Sequence, residues 1–301
     1  MRLKTVVAVL SAIIVLSGLS APVCAQEVFE FTEVLAKDRP EAWAMKLIGS
    51  ELLLTSMGVP AKIRSREIQL GVEAGWIPKL SDQQRLIGFN GIKRENVNRT
   101  SLFGRPRVTI GLPSDVSITF GYIPPVRIGG IRPNVASFAV GRPLWSKSHW
   151  RLGGRIFGQA GNLKGDITCD RATVAAGVDP VRNPYQCEAP SKDTMKIRSV
   201  GMELGSAFPL SDKFEPYVGA AWNYFDTEFH TDAHYAGIQD RSVLLASGPT
   251  FALTTGISYR LSARIRLSGE FFYTPLDVSR GGVRVGDALM NLRGCMFYAL
   301  K

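Results

Sequence analysis

The chain has 301 residues, 45% of them hydrophobic and 21% charged, with 36 Lys and Arg against 26 Asp and Glu for a formal charge of +10. That length suits one domain. The basic residues are scattered and no zinc-finger or aromatic RNA-binding motif accompanies them, which excludes nucleic acid as an expected partner and leaves acidic lipid headgroups or small anionic solutes.

Residues 1 to 25 read as a secretory leader. Arg2 and Lys4 precede an apolar run from Val6 to Leu19, and Val23-Cys24-Ala25 supplies a cleavage site after Ala25. A lipidated Cys24 is the weaker alternative, because Val23 is bulkier than the residue expected before a lipidated cysteine. Arg2 and Lys4 leave with the leader and no acid does, so the charge falls from +10 to +8. Beyond the leader no stretch of about 18 consecutive apolar residues remains, so no transmembrane helix is expected.

Residues 26 to 60 differ from the rest. Asp38, Arg39 and Pro40 can start a helix that EAWAMKLIGSELLLTSM continues until Gly58 and Pro60. The expectation is a short, partly helical periplasmic extension; the alternative is a helix tucked into whatever opening the following domain offers.

From residue 61 onward, period-two alternation dominates. In REIQLGVEAGW, Ile68, Leu70, Val72, Ala74 and Trp76 lie on one face and Glu67, Gln69, Gly71, Glu73 and Gly75 on the other. Leu152, Gly154, Ile156, Gly158 and Ala160 likewise oppose Arg151, Gly153, Arg155, Phe157 and Gln159. Further on, Val200, Met202 and Leu204 oppose Ser199, Gly201 and Glu203, and Ile265, Leu267, Phe271 and Tyr273 oppose Arg264, Arg266, Ser268 and Glu270. About ten such segments occur, joined alternately by short turns (113–115, 145–148, 210–213, 261–263) and long connections (77–101, 124–134, 162–194, 231–247, 274–286). Short periplasmic turns with longer outer loops are the pattern of a membrane barrel, and with both termini in the periplasm every long connection falls outside. RLIGFNGI at 85–92 could add a hairpin and make twelve strands.

On this pattern, and on PLSDKFEPYVGAAW at 209–222 as strand, short turn and returning strand, the sequence resembles the bacterial outer-membrane β-barrel superfamily, including the OmpA-like transmembrane barrels and porins. The resemblance implies an all-β, antiparallel, up-and-down transmembrane β-barrel of ten to twelve strands over residues 61–301 in a Gram-negative outer membrane. It implies lipid and the barrel assembly machinery as partners, and it names no activity.

The polar faces gather Glu67, Glu73, Arg107, Arg151, Arg155, Glu203, Arg264, Arg266, Glu270 and Arg293 inside the barrel. Two readings are open: a Glu and Arg network that fills the lumen, or a narrow anion-favouring passage. Ten strands leave little room, which favours the first. Cys169 and Cys187 in the longest connection of an exported chain are expected to form a disulfide, while Cys295 is expected to be buried alone. Asp226, Glu228, His230, Asp232 and His234 share one parity near the outer rim, and Asp226, His230, Asp232 and His234 are the residues a rim-sited hydrolase or protease would use. No GxSxG, HExxH or phosphate-loop motif supports that alternative, and neither a metal site nor a cofactor is expected. The leading expectation is a non-enzymatic barrel, either a structural or surface-interaction protein or a narrow pore for small solutes.

Overall fold

The computed structural model describes residues 27–147 and 149–300, so the leader and Cys24 lie outside the described residues. Ten long strands close into one antiparallel barrel: β1 Ile68–Trp76, β2 Leu102–Gly111, β3 Ser117–Ile123, β4 Arg132–Lys147, β5 Trp150–Gly165, β6 Asp193–Ala207, β7 Phe214–His230, β8 Val243–Arg260, β9 Ile265–Thr274 and β10 Leu289–Leu300. Each pairs with its neighbours in sequence except at the seam, where β10 returns to β1 with Leu292 opposite Trp76 and Leu300 opposite Ile68. Residues 85–94 supply a single-pair hairpin, Leu86 opposite Arg94, that stays outside the barrel wall. The strand count is therefore ten.

Alternation fixes which way each strand faces. Leu70 and Val72 are exposed on the outside while Glu73 between Val72 and Ala74 is fully buried, and Ile156 is exposed beside buried Arg155 and Phe157. The same holds for Val200, Met202 and Leu204 against Glu203, and for Leu267 and Phe271 against Glu270. The outer surface is thus a continuous aliphatic belt. Aromatic residues edge it at both ends: Trp76, Tyr122 and Tyr224 toward the long connections, and Trp145, Trp150, Phe214, Tyr259 and Tyr298 toward the short turns. A greasy belt between two aromatic girdles around a polar interior is what a bilayer selects. The barrel is a transmembrane one, and no helix among the described residues is long and apolar enough to cross a membrane.

The long connections build a cap at one end. Residues 187–189, 233–235 and 238–240 form a small sheet to which residues 27–29 add a fourth, parallel strand. Residues 32–34 then pair in parallel with the start of β8, Val243 opposite Thr32. The expected disulfide between Cys169 and Cys187 is present in this cap, and Cys295 is free and buried.

This placement changes the expected course of the amino-terminal segment. The helix is present as α1, Pro40–Glu51, yet it lies within the barrel rather than beside it in the periplasm, and all twelve of its residues are buried. The chain starts among the long connections, descends through the lumen, and reaches the short-turn end near residue 60 before β1 begins. The two described ends therefore sit at opposite mouths, not on the same side. The sequence of α1 is consistent with this: Ala42, Trp43, Ala44, Met45, Leu47 and Ile48 spread around the helix, and Glu41, Lys46, Ser50 and Glu51 are too scattered to form one continuous polar face for water.

Candidate functional site

The lumen holds the chemistry, and the descending segment organises it. At the cap end, the Trp43 indole donates to the Asp287 carbonyl at 2.9 Å, the Asn90 amide donates to the Glu41 carboxylate at 2.6 Å, and the Arg280 guanidinium lies 5.1 Å over the Trp43 ring. These contacts tie the start of α1 to two long connections.

At its other end α1 runs out in mid-barrel. The last carbonyls of a helix have no partner within it and carry the negative end of the helix dipole, so in a space shut off from water they need donors from elsewhere. The barrel wall provides them. Gln159 Nε2 donates to the Gly49 carbonyl at 3.1 Å, and Arg293 donates to those of Ser50 and Glu51 at 3.2 Å and of Leu53 at 2.6 Å. Arg105 donates to the carbonyls of Leu52 at 2.9 Å and Leu53 at 3.0 Å, Arg155 to that of Leu54, and Arg107 to that of Thr55 at 2.8 Å. Seven consecutive carbonyls, 49 to 55, are thus held by side chains from β2, β5 and β10.

The buried glutamates orient those arginines. Arg105 makes a two-point contact with Glu73, at 2.6 and 3.1 Å, and Arg107 reaches the same carboxylate at 3.2 Å. Arg155 makes a matching fork on Glu203, at 2.7 and 3.1 Å. Arg105, Arg107 and Arg155 each face a carboxylate on the wall and a carbonyl on the segment, while Arg293 donates to the Asn291 side-chain oxygen at 3.0 Å. A buried charge is best tolerated when its donors are used, and every nitrogen of Arg105 is hydrogen-bonded, whereas the Nε of Arg107 has no acceptor. Glu270 accepts from the Tyr217 hydroxyl at 3.2 Å. A small cavity of about 10 Å³, room for a single water, lies between residues 53–55 and the wall at Phe157, Ala252 and Phe272.

Of the ten residues expected in the lumen network, Glu73, Arg107, Arg155, Glu203, Glu270 and Arg293 meet in this middle tier. Arg266, Arg264, Arg151 and Glu67 lie lower, around a cavity at the short-turn mouth. Arg105, fully buried at the centre, is absent from the sequence-based set although it shares the parity of Arg107; the alternation Phe103, Arg105, Arg107, Thr109 was the signal that finds it. The carbonyl partners had no sequence signal, since a main-chain acceptor leaves no trace in residue type.

The rim residues do not assemble. Asp226 is exposed on the outer wall and lies 3.8 Å from Arg198, while Glu228 accepts from Lys196 at 2.8 Å and from His230 at 2.9 Å. Beyond His230 the strand ends, so the shared parity with Asp232 and His234 is lost. Asp232 accepts from Gln239 at 3.2 Å, and His234 sits in the separate 233–235 strand. Among the described residues no group of three or more His, Cys, Asp or Glu is placed to hold a metal. In the cap, Glu95 is buried against Lys93 at 2.9 Å, and burial pushes its carboxyl up to about 7 despite the lysine.

No protein-family model and no curated protein matches the sequence. Among solved structures, the outer-membrane protease OmpT of Escherichia coli is similar over 78% of this chain and 95% of its own, at 10% identity and a TM-score of 0.39. The Pseudomonas putida toluene transporter TodX gives 83% and 81%, 12% identity and 0.32, and the Yersinia pestis attachment invasion protein Ail gives 77% and 97%, 10% identity and 0.28. Closed ten-strand wall, lipid-facing belt and polar interior together make this chain a transmembrane β-barrel in fold.

Proposed function

We propose that this is a non-enzymatic outer-membrane barrel of a Gram-negative bacterium, sealed at rest by its own amino-terminal segment, whose cap of long connections serves as an interaction surface. One observation carries the reading: seven successive carbonyls of the descending segment are bonded to wall side chains. A pore would need that segment to leave, breaking a series of charge-assisted hydrogen bonds each worth roughly 1.5–3 kcal/mol. The cap offers apolar groups for contact, among them Val28 and Phe29, which are about half exposed on the added strand. The hydrolase alternative draws no support from geometry, because Asp226 and His230 face the outer wall while Asp232 and His234 sit in the cap with other partners.

The test is planar-bilayer recording of the refolded mature protein beside a variant lacking residues 26–60. The mature protein should be silent and the shortened one should give discrete current steps. Steps of similar size and frequency from both would remove the sealed-barrel reading.

A further inference from the structure

Below the seal, the short-turn mouth opens into a cavity of about 680 Å³ whose inner wall is Ser56, Val59 and Pro60 of the descending segment. It is a dead end. Its lining carries nine Lys and Arg but only three acids, Glu67, Asp212 and Glu215. Two of those acids are engaged: Glu215 pairs with Arg151, and Glu67 accepts from Gln69 at 2.9 Å.

The cations are not engaged to the same degree. Among the described residues no carboxylate lies within ion-pair distance of Lys213, Arg260, Arg264 or Arg266. Arg266 stacks 4.1 Å from the Phe297 ring and makes one long bond, 3.4 Å, to the Met57 carbonyl; Arg264 reaches only the Tyr298 hydroxyl, at 3.5 Å. Two further donors that line the cavity, the Nε atoms of Arg107 and Arg151, are buried with no acceptor at all. One tier higher, Arg105 and Arg293 have every guanidinium nitrogen hydrogen-bonded. An uncompensated cluster of guanidinium groups in a partly enclosed space is costly unless an anion completes it.

We infer that this vestibule is a binding site for a small soluble anion bearing several oxyanion groups, a polyphosphate or polycarboxylate, held between the Arg266, Arg264, Arg260 and Lys213 side chains. The volume falls within the range of small-molecule sites and is too small for a folded partner. Planar guanidinium forks match phosphate and carboxylate oxygens two at a time, which favours a multivalent ligand over a single carboxylate. The closed inner wall makes the site one of retention rather than passage.

Inorganic triphosphate is a suitable probe, measured by titration calorimetry on the full mature protein in neutral-lipid nanodiscs, with acetate as the monovalent control. Triphosphate should bind with a Kd below about 1 mM, weakening as salt rises, and acetate should not bind. The variant K213Q/R260Q/R264Q, whose side chains lie at the solvent edge, should bind at least ten times more weakly while its thermal unfolding is unchanged. Absence of triphosphate binding, or equal binding by the variant, overturns the site. Repeating the titration in phosphatidylglycerol nanodiscs separates sources: an unchanged Kd supports a soluble ligand, whereas loss of binding there assigns the cavity to a lipid headgroup and overturns the soluble-anion assignment.

Discussion

The lumen presents arginine in two settings a few residues apart. In the middle tier, Arg105, Arg155 and Arg293 are buried between glutamates and main-chain carbonyls; at the short-turn mouth, Arg260, Arg264 and Arg266 line a cavity with few acceptors. The same side chain acts as a structural clamp where backbone carbonyls are supplied to it and as an open cation where they are not. Residues 49–55 make the difference, because a helix that ends in mid-lumen brings its own negative pole. An excess of inward arginine over glutamate therefore does not by itself indicate an anion passage.

The sharpest way to break this comparison is Arg105→Met. It orphans the carbonyl of Leu52, leaves that of Leu53 to Arg293 alone, and leaves the fully buried Glu73 with Arg107 alone. Removing one partner of a buried pair costs about 3–5 kcal/mol. Urea unfolding in detergent should register the loss, and protease cutting within residues 52–60 should rise with it. A cost below about 1 kcal/mol, the size of an exposed pair, would mean that the middle tier is no more committed than the mouth.

The cap is a different kind of structure, stapled rather than clamped. Replacing Cys169 and Cys187 together by Ser opens a loop with a sequence separation of 18 residues, worth about 3 kcal/mol in the chain-entropy model. The loss should be local. Amide exchange should quicken at 187–189 and 233–235 while the amides of residues 52–57 keep their protection. Equal loss in both places would make cap and lumen one cooperative unit.

Much of this was legible in the sequence, and the boundary is physical. Period-two alternation from Ile68 to Leu300 marks the barrel strands, and alternating short and long connections bracket their number at ten to twelve, because both follow from local geometry. Residues 40–60 were harder to place. Local signals at Pro40 and Gly58 mark a helix and its end, but whether it sits beside the barrel or within it depends on a hydrogen-bond account between main-chain carbonyls and distant arginines. The lack of a continuous polar face along Pro40 to Glu51 was the available clue. The rim set failed for a related reason: shared parity predicts shared direction only while one strand continues, and β7 stops at His230.

The cap also titrates where the lumen is held by permanent charges. Glu95, with its carboxyl pushed up to about 7 from 4.5 by burial, is faced by Lys93, Asp170 and Asp193. The folded state holds this proton through a window in which the unfolded chain has released it. Cap stability should therefore be greatest below about pH 4.5 and fall as pH rises to 7, by roughly 3 kcal/mol as an upper bound. Glu95→Gln should flatten the dependence, read as exchange protection of residues 93–95 between pH 5 and pH 8. A slope that persists in the variant would assign the effect to another group.

Steric fit along α1 offers a smaller perturbation of the clamp itself. A Cβ on Gly49 would sit 2.7 Å from the Phe225 ring, where the helix passes closest to the wall. Gly49→Ala should cost about 1–3 kcal/mol through overpacking, and adding Phe225→Leu should restore part of it. No recovery in the double variant would place the cost in the helix rather than in the contact.

The smallest effect should come from the mouth. Arg264 is exposed, sits in the turn before β9 and touches only the Tyr298 hydroxyl at 3.5 Å, so Arg264→Ala should change stability by less than about 0.5 kcal/mol. That near-silence is informative only beside Arg105. The two arginines belong to the same barrel and differ in whether the descending segment reaches them. If Arg264→Ala destabilised the barrel on the scale of Arg105→Met, the mouth cations would be supporting the wall through contacts of their own, and their lack of partners would no longer mark a site open to a ligand.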